Sequence, residues 1–173
     1  MPGGEPIWHG LEDHLRSVAR LAGESARHFD AASWARLAGL WHDLGKYRAG
    51  FQRYIRRTVD ADAHIEGRVQ GRDKTHSAAG AVHALKLFEQ RFGPAGAKVA
   101  RLLAYVIAGH HAGLADWTAG LDDRLLGSRR EDSEREHAEA LQACSSVAEL
   151  LDVPPDFDLR AACAAIRGAR SEH

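Results

Sequence analysis

Five histidines and one aspartate in this 173-residue chain have the types and settings that metal chemistry needs. His14 lies in a helix-forming stretch near the N-terminus. His42 and Asp43 are adjacent in WHDLGK, His76 stands in THSAAGA, and His110 and His111 are adjacent in AGHHAGL. Neutral imidazole suits first-row divalent metals, and a carboxylate adds negative charge and can bridge two ions. Each residue sits on or beside a helical stretch whose other face is apolar. All can therefore point into one cavity between packed helices, which is how metal sites in helical proteins are built. Neighbouring helical residues point about 100° apart. His42 and Asp43 can chelate one ion together only at a fraying helix end, or Asp43 can bridge a pair of ions. The same holds for His110 and His111. Gly45, Gly109 and Gly113 flank these pairs and give the backbone room to turn.

The other histidines divide differently. His9, His28, His64, His137 and His173 read as ordinary core or surface residues. His83 follows His76 by two helical turns on the same face, which makes it a candidate for the same cavity. Lys46, three residues after Asp43, is a cation with a use beside a phosphate.

Helices must position this set. Apolar spacing predicts a helix over Leu11–Phe29 and a second through Trp34, Leu37, Leu40 and Trp41, capped by Asp30 or Ser33 and ended at Gly45. A third is expected near Tyr47–Arg57. The polar, glycine-containing stretch 60–74 reads as a loop. Thr75 or Ser77 opens a helix that Phe92-Gly93-Pro94 stops. Lys98–His111 is the most apolar helix and the expected centre of the fold. A charged helix is expected over Asp132–Leu151, broken by Pro154-Pro155, and a short one over Asp158–Ala169. Val and Ile are sparse, and no alternating run or hairpin signal occurs. The fold class is all-α, a bundle of seven to eight helices around a central metal site.

Composition supports one globular domain. Hydrophobic residues make up 45% of the chain and charged residues 27%, with a formal net charge of -1. That balance excludes a generally basic nucleic-acid coat, though not a local basic groove. Cys144 and Cys163 alone form neither a disulfide framework nor a thiolate zinc site. The first ten residues lack the basic and apolar regions of a signal peptide. The longest apolar stretch, 99–108, is broken by Arg101 and is about half of a membrane span. A reducing, cytoplasmic setting is expected.

The motif order carries a resemblance. DHLRSVA around His14, then WHDLGKYRAGFQRYI, THSAAGA and GHHAGL resemble the HD superfamily of metal-dependent phosphohydrolases. Within it they are most similar to the HD nuclease domain of the CRISPR-associated helicase-nuclease of type I systems. The similarity covers roughly residues 8–117. It implies a single nuclease domain over 1–173, complete or as the N-terminal part of a longer chain with a helicase downstream. It also implies two divalent ions. His14, His42 and Asp43 would hold the first. Asp43 would bridge to the second, which His76, His110 and His111 also hold, and Lys46 and Ser77 would sit at the edge. The family's last aspartate lies in a downstream stretch that this chain lacks, and Asp116 is too close behind His111 to replace it. Asp152, Asp156 and Asp158 are the candidate substitutes. Otherwise the chain ends before that ligand, or the first ion is more loosely held.

The activity so implied is metal-dependent cleavage of single-stranded DNA in CRISPR interference, endonucleolytic with exonucleolytic cutting as an extension. Asp43 and Lys46 would be catalytic. Two ions about 3.5–4 Å apart can clamp a phosphodiester for in-line attack. The imidazole-rich shell favours Mn, Ni, Co, Fe or Zn over Mg. Arg48, Arg53, Arg56 and Arg57 after the HD pair, and Arg68, Arg72 and Lys74 before His76, would give the strand a cationic path. Trp41, Tyr47, Phe51 and Trp117 either stack bases or belong to the core. The expected partners are single-stranded DNA, an RNA-guided CRISPR surveillance complex and a helicase domain in cis or trans, with no membrane. Two other readings share the same residues. One is an HD phosphohydrolase of nucleotides or cyclic nucleotides, although the Gly-Tyr-Pro motif of the cyclic-dinucleotide subgroup is missing. The other is a catalytically impaired metal-binding docking module.

Overall fold

Helices account for every regular element in the described part of the computed structural model, residues 10–58, 76–111 and 120–168. In order they are α1 (Leu11–Ser25), α2 (Ala32–Trp41), α3 (Ala49–Thr58), α4 (Ser77–Phe92), α5 (Ala97–Gly109), the single-turn α6 (Asp122–Leu125), α7 (Arg130–Ala143) and α8 (Leu159–Gly168). Tight 3-10 turns occupy Ala26–Phe29, Leu44–Tyr47, Gly93–Gly96 and Ser145–Leu151. The all-α expectation holds. No described helix is long and apolar enough to cross a membrane.

The core forms where apolar stripes meet. Leu15 of α1 and Leu37 and Trp41 of α2 are fully enclosed, with Phe88 of α4, Leu103 and Ile107 of α5, and Leu150. The Trp41 indole N–H donates to the Leu150 carbonyl at 2.8 Å, so its polar atom is satisfied inside the core. The most enclosed helix is α4, where Ala78 through Ala84 are buried without a break. Apolar content alone predicts α5 as the centre. Residue size explains the difference. The run AAGAVHA lets neighbouring helices close on α4, and a Cβ on Gly80 would meet the Trp41 carbonyl oxygen at 1.9 Å. In α5, Arg101 and Val106 face outward.

Several boundaries differ from those predicted. The N-cap of α2 is Ala31, and neither Asp30 nor Ser33 caps it. Asp30 instead adopts a left-handed φ of 56° that closes the preceding 3-10 turn, a conformation Asp tolerates better than most residues. The long C-terminal helix stops at Ala143, and the chain continues to Leu151 as a 3-10 segment with a kink at Val147. Helix α6 was not anticipated, since four residues carry no period. The cap of α8 is Asp158, whose Oδ1 accepts from the amides of Arg160 and Ala161 at 2.8 and 3.1 Å.

Candidate metal centre

Three helix ends and one helix flank converge. His42 is the C-cap of α2, and the chain leaves helical geometry at Asp43, where φ is -111° and ψ 18°. His110 is the C-cap of α5 and His76 the N-cap of α4. His14 lies in the opening turns of α1. Ending a helix between His42 and Asp43 removes the angular conflict of adjacent helical side chains, so both aim at one point.

Asp43 is the hub. Its side chain is only 3% exposed. Oδ2 lies 3.2 Å from His14 Nε2, 2.9 Å from His42 Nε2 and 3.0 Å from Lys46 Nζ. Oδ1 lies 3.4 Å from both His76 Nε2 and His110 Nε2. The carboxylate thus faces one histidine set with each oxygen. One donor atom from each of Asp43, His76, His110 and His111 falls within 4.8 Å of all the others, and His14, His42 and Asp43 form a second such group.

The ring nitrogens show what these groups suit. His42 Nδ1–H donates to the Gly39 carbonyl at 2.8 Å, and His110 Nδ1–H to the Ile107 carbonyl at 2.6 Å. Both acceptors lie in the last turn of a helix, where carbonyls lack intrahelical partners. These bonds leave Nε2 of each neutral ring with its lone pair directed at Asp43. Metal-binding imidazoles are oriented in the same way by their outer nitrogen. His76 Nε2 and His111 Nε2 are 2.7 Å apart, an approach that only a shared proton or a cation makes attractive. Asp43 Oδ1 is buried, and no described donor makes an aligned hydrogen bond to it. Lone pairs converging on a buried anionic oxygen without a donor fit a divalent cation. Burial opposes ionisation of Asp43; a proton on the facing nitrogens of His110 and His42, standing where a cation would, and the Lys46 ammonium outweigh it and hold the carboxyl well below the usual carboxylate range.

The other candidate residues fall into separate places. Arg48 is buried, with Nε 2.9 Å from Glu139 Oε2 and Nη1 3.7 Å from Glu136 Oε2, so its charge is taken up inside the fold. Arg53 is exposed on α3. The Ser77 hydroxyl accepts from Arg124 at 2.7 Å. Arg68, Arg72, Lys74, Asp116 and Trp117 lie outside the described residues, and so does the side chain of Arg57. Trp41 and Phe51 are core residues, and the Phe51 ring packs edge-on against His76 at 4.9 Å. Asp152 pairs with Arg91 at 2.5 Å, Asp158 caps α8, and neither Asp152, Asp156 nor Asp158 joins the described donor groups. Among the described residues, the group around His14 therefore has three donors, His14, His42 and Asp43.

His83 does not face the cavity. It is buried against Trp41 and donates from Nε2 to the Leu151 carbonyl at 2.7 Å, while Nδ1 lies 3.3 Å from His137 Nε2. His76 is the N-cap and not a helical residue, so the two-turn spacing does not carry His83 to the same place.

Glu136 and Arg124 contact the start of α4 and were not singled out by sequence. The available signal was the stripe Ser133, Glu136, His137, Ala140 and Cys144, which has helical spacing and is buried. Most of that stripe is polar, so a search for apolar periodicity passes over it.

The family model described as Cas3, HD domain, matches residues 2–168 of the chain. No curated protein and no solved structure matches it.

Proposed function

Because the chain belongs to the Cas3 HD domain family, which implies a metal-dependent HD nuclease of CRISPR defence, we propose that it cuts single-stranded DNA at internal phosphodiesters and can also degrade from an end. The observation that carries the reading is the shared carboxylate of Asp43, with two histidine groups on its two oxygens.

His14, His42 and Oδ2 of Asp43 would hold one divalent ion. His76, His110, His111 and Oδ1 would hold the other. The chemistry that two ions would supply there is activation of a water and neutralisation of charge on the phosphoryl and leaving oxygens. The donor set, five imidazoles and one carboxylate, favours Mn, Ni, Co, Fe or Zn over Mg. The rest falls to side chains. Asp43 stays ionised at neutral pH and fixes the spacing between the two histidine groups. Lys46, 19% exposed and 3.0 Å from Oδ2, can donate to a non-bridging oxygen where negative charge grows during attack. Arg53, Arg72, Lys74 and Ser77 are assigned to the phosphates on either side. Such contacts position a strand without reading its sequence. Arg48 is assigned to the inside of the fold. Strand delivery is assigned to an RNA-guided surveillance complex and a helicase domain, in cis or trans.

The test is cleavage of circular single-stranded DNA with Mn, Co, Ni or Mg, comparing wild type with Asp43→Ala. Metal-dependent nicking that the variant loses supports the reading. Equal activity in both would sink it, and loss of mononucleotide hydrolysis with DNA untouched would favour a nucleotide phosphohydrolase.

A further inference from the structure

We infer that Glu136 is a positioning residue for the His76 side of the metal centre and acts through the first turn of α4. This rests on the reading that Asp43, His76, His110 and His111 hold an ion. Glu136 is 5% exposed on α7. Its Oε1 accepts from the amides of Ala78 and Ala79, both at 3.2 Å. These are among the amides that every helix N-terminus leaves without partners. The usual remedy is a Ser, Thr, Asp or Asn at the N-cap. Here the N-cap is His76, which makes no capping bond and turns its ring toward Asp43. A side chain engaged as a ligand cannot also cap its helix, and α7 supplies the cap instead.

The carboxylate is itself held. Its second oxygen faces the buried Arg48, which follows the turn carrying Lys46. Arg124 of α6 donates to the Ser77 hydroxyl, and the Ser133 hydroxyl donates to the Arg124 carbonyl at 2.8 Å. Ser77, Ala78 and Ala79, the three residues after His76, are thus each tied to α6 or α7 by a polar bond. A buried carboxylate is costly unless it is paired and hydrogen-bonded. Ala140 of α7 and Cys144, its C-cap, show that plain packing there is done by small apolar residues. Without Glu136, two buried amides lose their acceptor, the first turn frays, and His76 loses its fixed relation to Asp43. His14 and His42 stand on α1 and at the end of α2, outside this clamp, so one ion should be affected and not the other.

Titration of the full chain with manganese(II) chloride, followed by calorimetry and by electron paramagnetic resonance, tests this. Wild type should bind two ions. Glu136→Ala should weaken one site by about tenfold or more, the usual scale for losing a residue that orients a ligand, and leave the other within about threefold. Glu136→Gln keeps a carbonyl acceptor and should rescue the weakened site to within about threefold of wild type. In a His14→Ala background the remaining site should be the one that Glu136→Ala weakens. If Glu136→Ala does not fold, Glu136→Asp carries the test, since it keeps the charge but shortens the reach to the amides, and the same selective loss is expected. The inference is overturned if both sites stay at wild-type affinity, if both weaken alike, or if Glu136→Gln is as defective as Glu136→Ala. Wild type that binds no ion on the His76 side instead overturns the two-ion reading itself.

Discussion

Gly45 meets His76 backbone to backbone: a Cβ on Gly45 would stand 2.2 Å from the His76 carbonyl oxygen and 2.5 Å from its Cα. The turn after the HD pair is therefore seated on the N-cap of α4, and this contact sets the distance from Asp43 to His76. Gly45→Ala must push these two segments apart. Overpacking of this kind costs about 1–3 kcal/mol. The expected result is a lower melting temperature together with weaker metal binding on the His76 side. Unchanged metal affinity in a folded Gly45→Ala protein would show that the contact does not set the site.

Lys46 shares Asp43 Oδ2 with His14 and His42. Its charge opposes a cation on that side and favours an incoming phosphate. Lys46→Met should therefore tighten metal binding by the His14 group severalfold while slowing cleavage by about 10²-fold, the scale for losing one preorganised donor. Metal titration and single-turnover cleavage on the same sample separate the two effects. A variant that binds metal more weakly and cuts at the wild-type rate would reverse both assignments.

The His83–His137 pair gives a pH dependence unrelated to catalysis. Burial, then the neighbouring His83 and Lys86, push His137 down to about 4 from an ordinary 6.5, with Glu134 opposing. Burial also lowers His83. The unfolded chain takes up these protons first, so this contribution to stability is complete above pH about 6.5 and is lost as pH falls toward about 4. Urea midpoints measured between those limits should fall more steeply for wild type than for His137→Gln. Parallel curves would mean that His137 is not held neutral by the fold.

Much of this was legible in the residues, and the failures have a common cause. Helix existence follows from apolar spacing, which burial of one face enforces, so α1, α2, α4 and α5 could be read directly. The convergence of His14, His42, Asp43, His76, His110 and His111 was readable because each lies at a helix end or flank marked by apolar periodicity. The α4 clamp was not, since Glu136 lies on a buried stripe that is mostly polar, and Arg124 acts through a tertiary contact with a hydroxyl, which leaves no local pattern. Arg48 misled for the same reason. Next to a phosphate-site motif an arginine reads as a DNA contact, and only the fold reveals the two glutamates of α7 beside it. Asp30 and Ser33 fit the composition of a cap, but the chain entered α2 through a left-handed residue instead.

The central claim is that a single carboxylate, Asp43, serves two histidine groups. Metal content by elemental analysis after Mn loading tests it most directly, across wild type, His110→Ala/His111→Ala and Asp43→Ala, with circular dichroism confirming that each is folded. The two donor groups predict two ions per chain in wild type, one in the double variant and none tightly held in Asp43→Ala. Asp43→Ala that retains both ions, or a double variant that retains both, would contradict it.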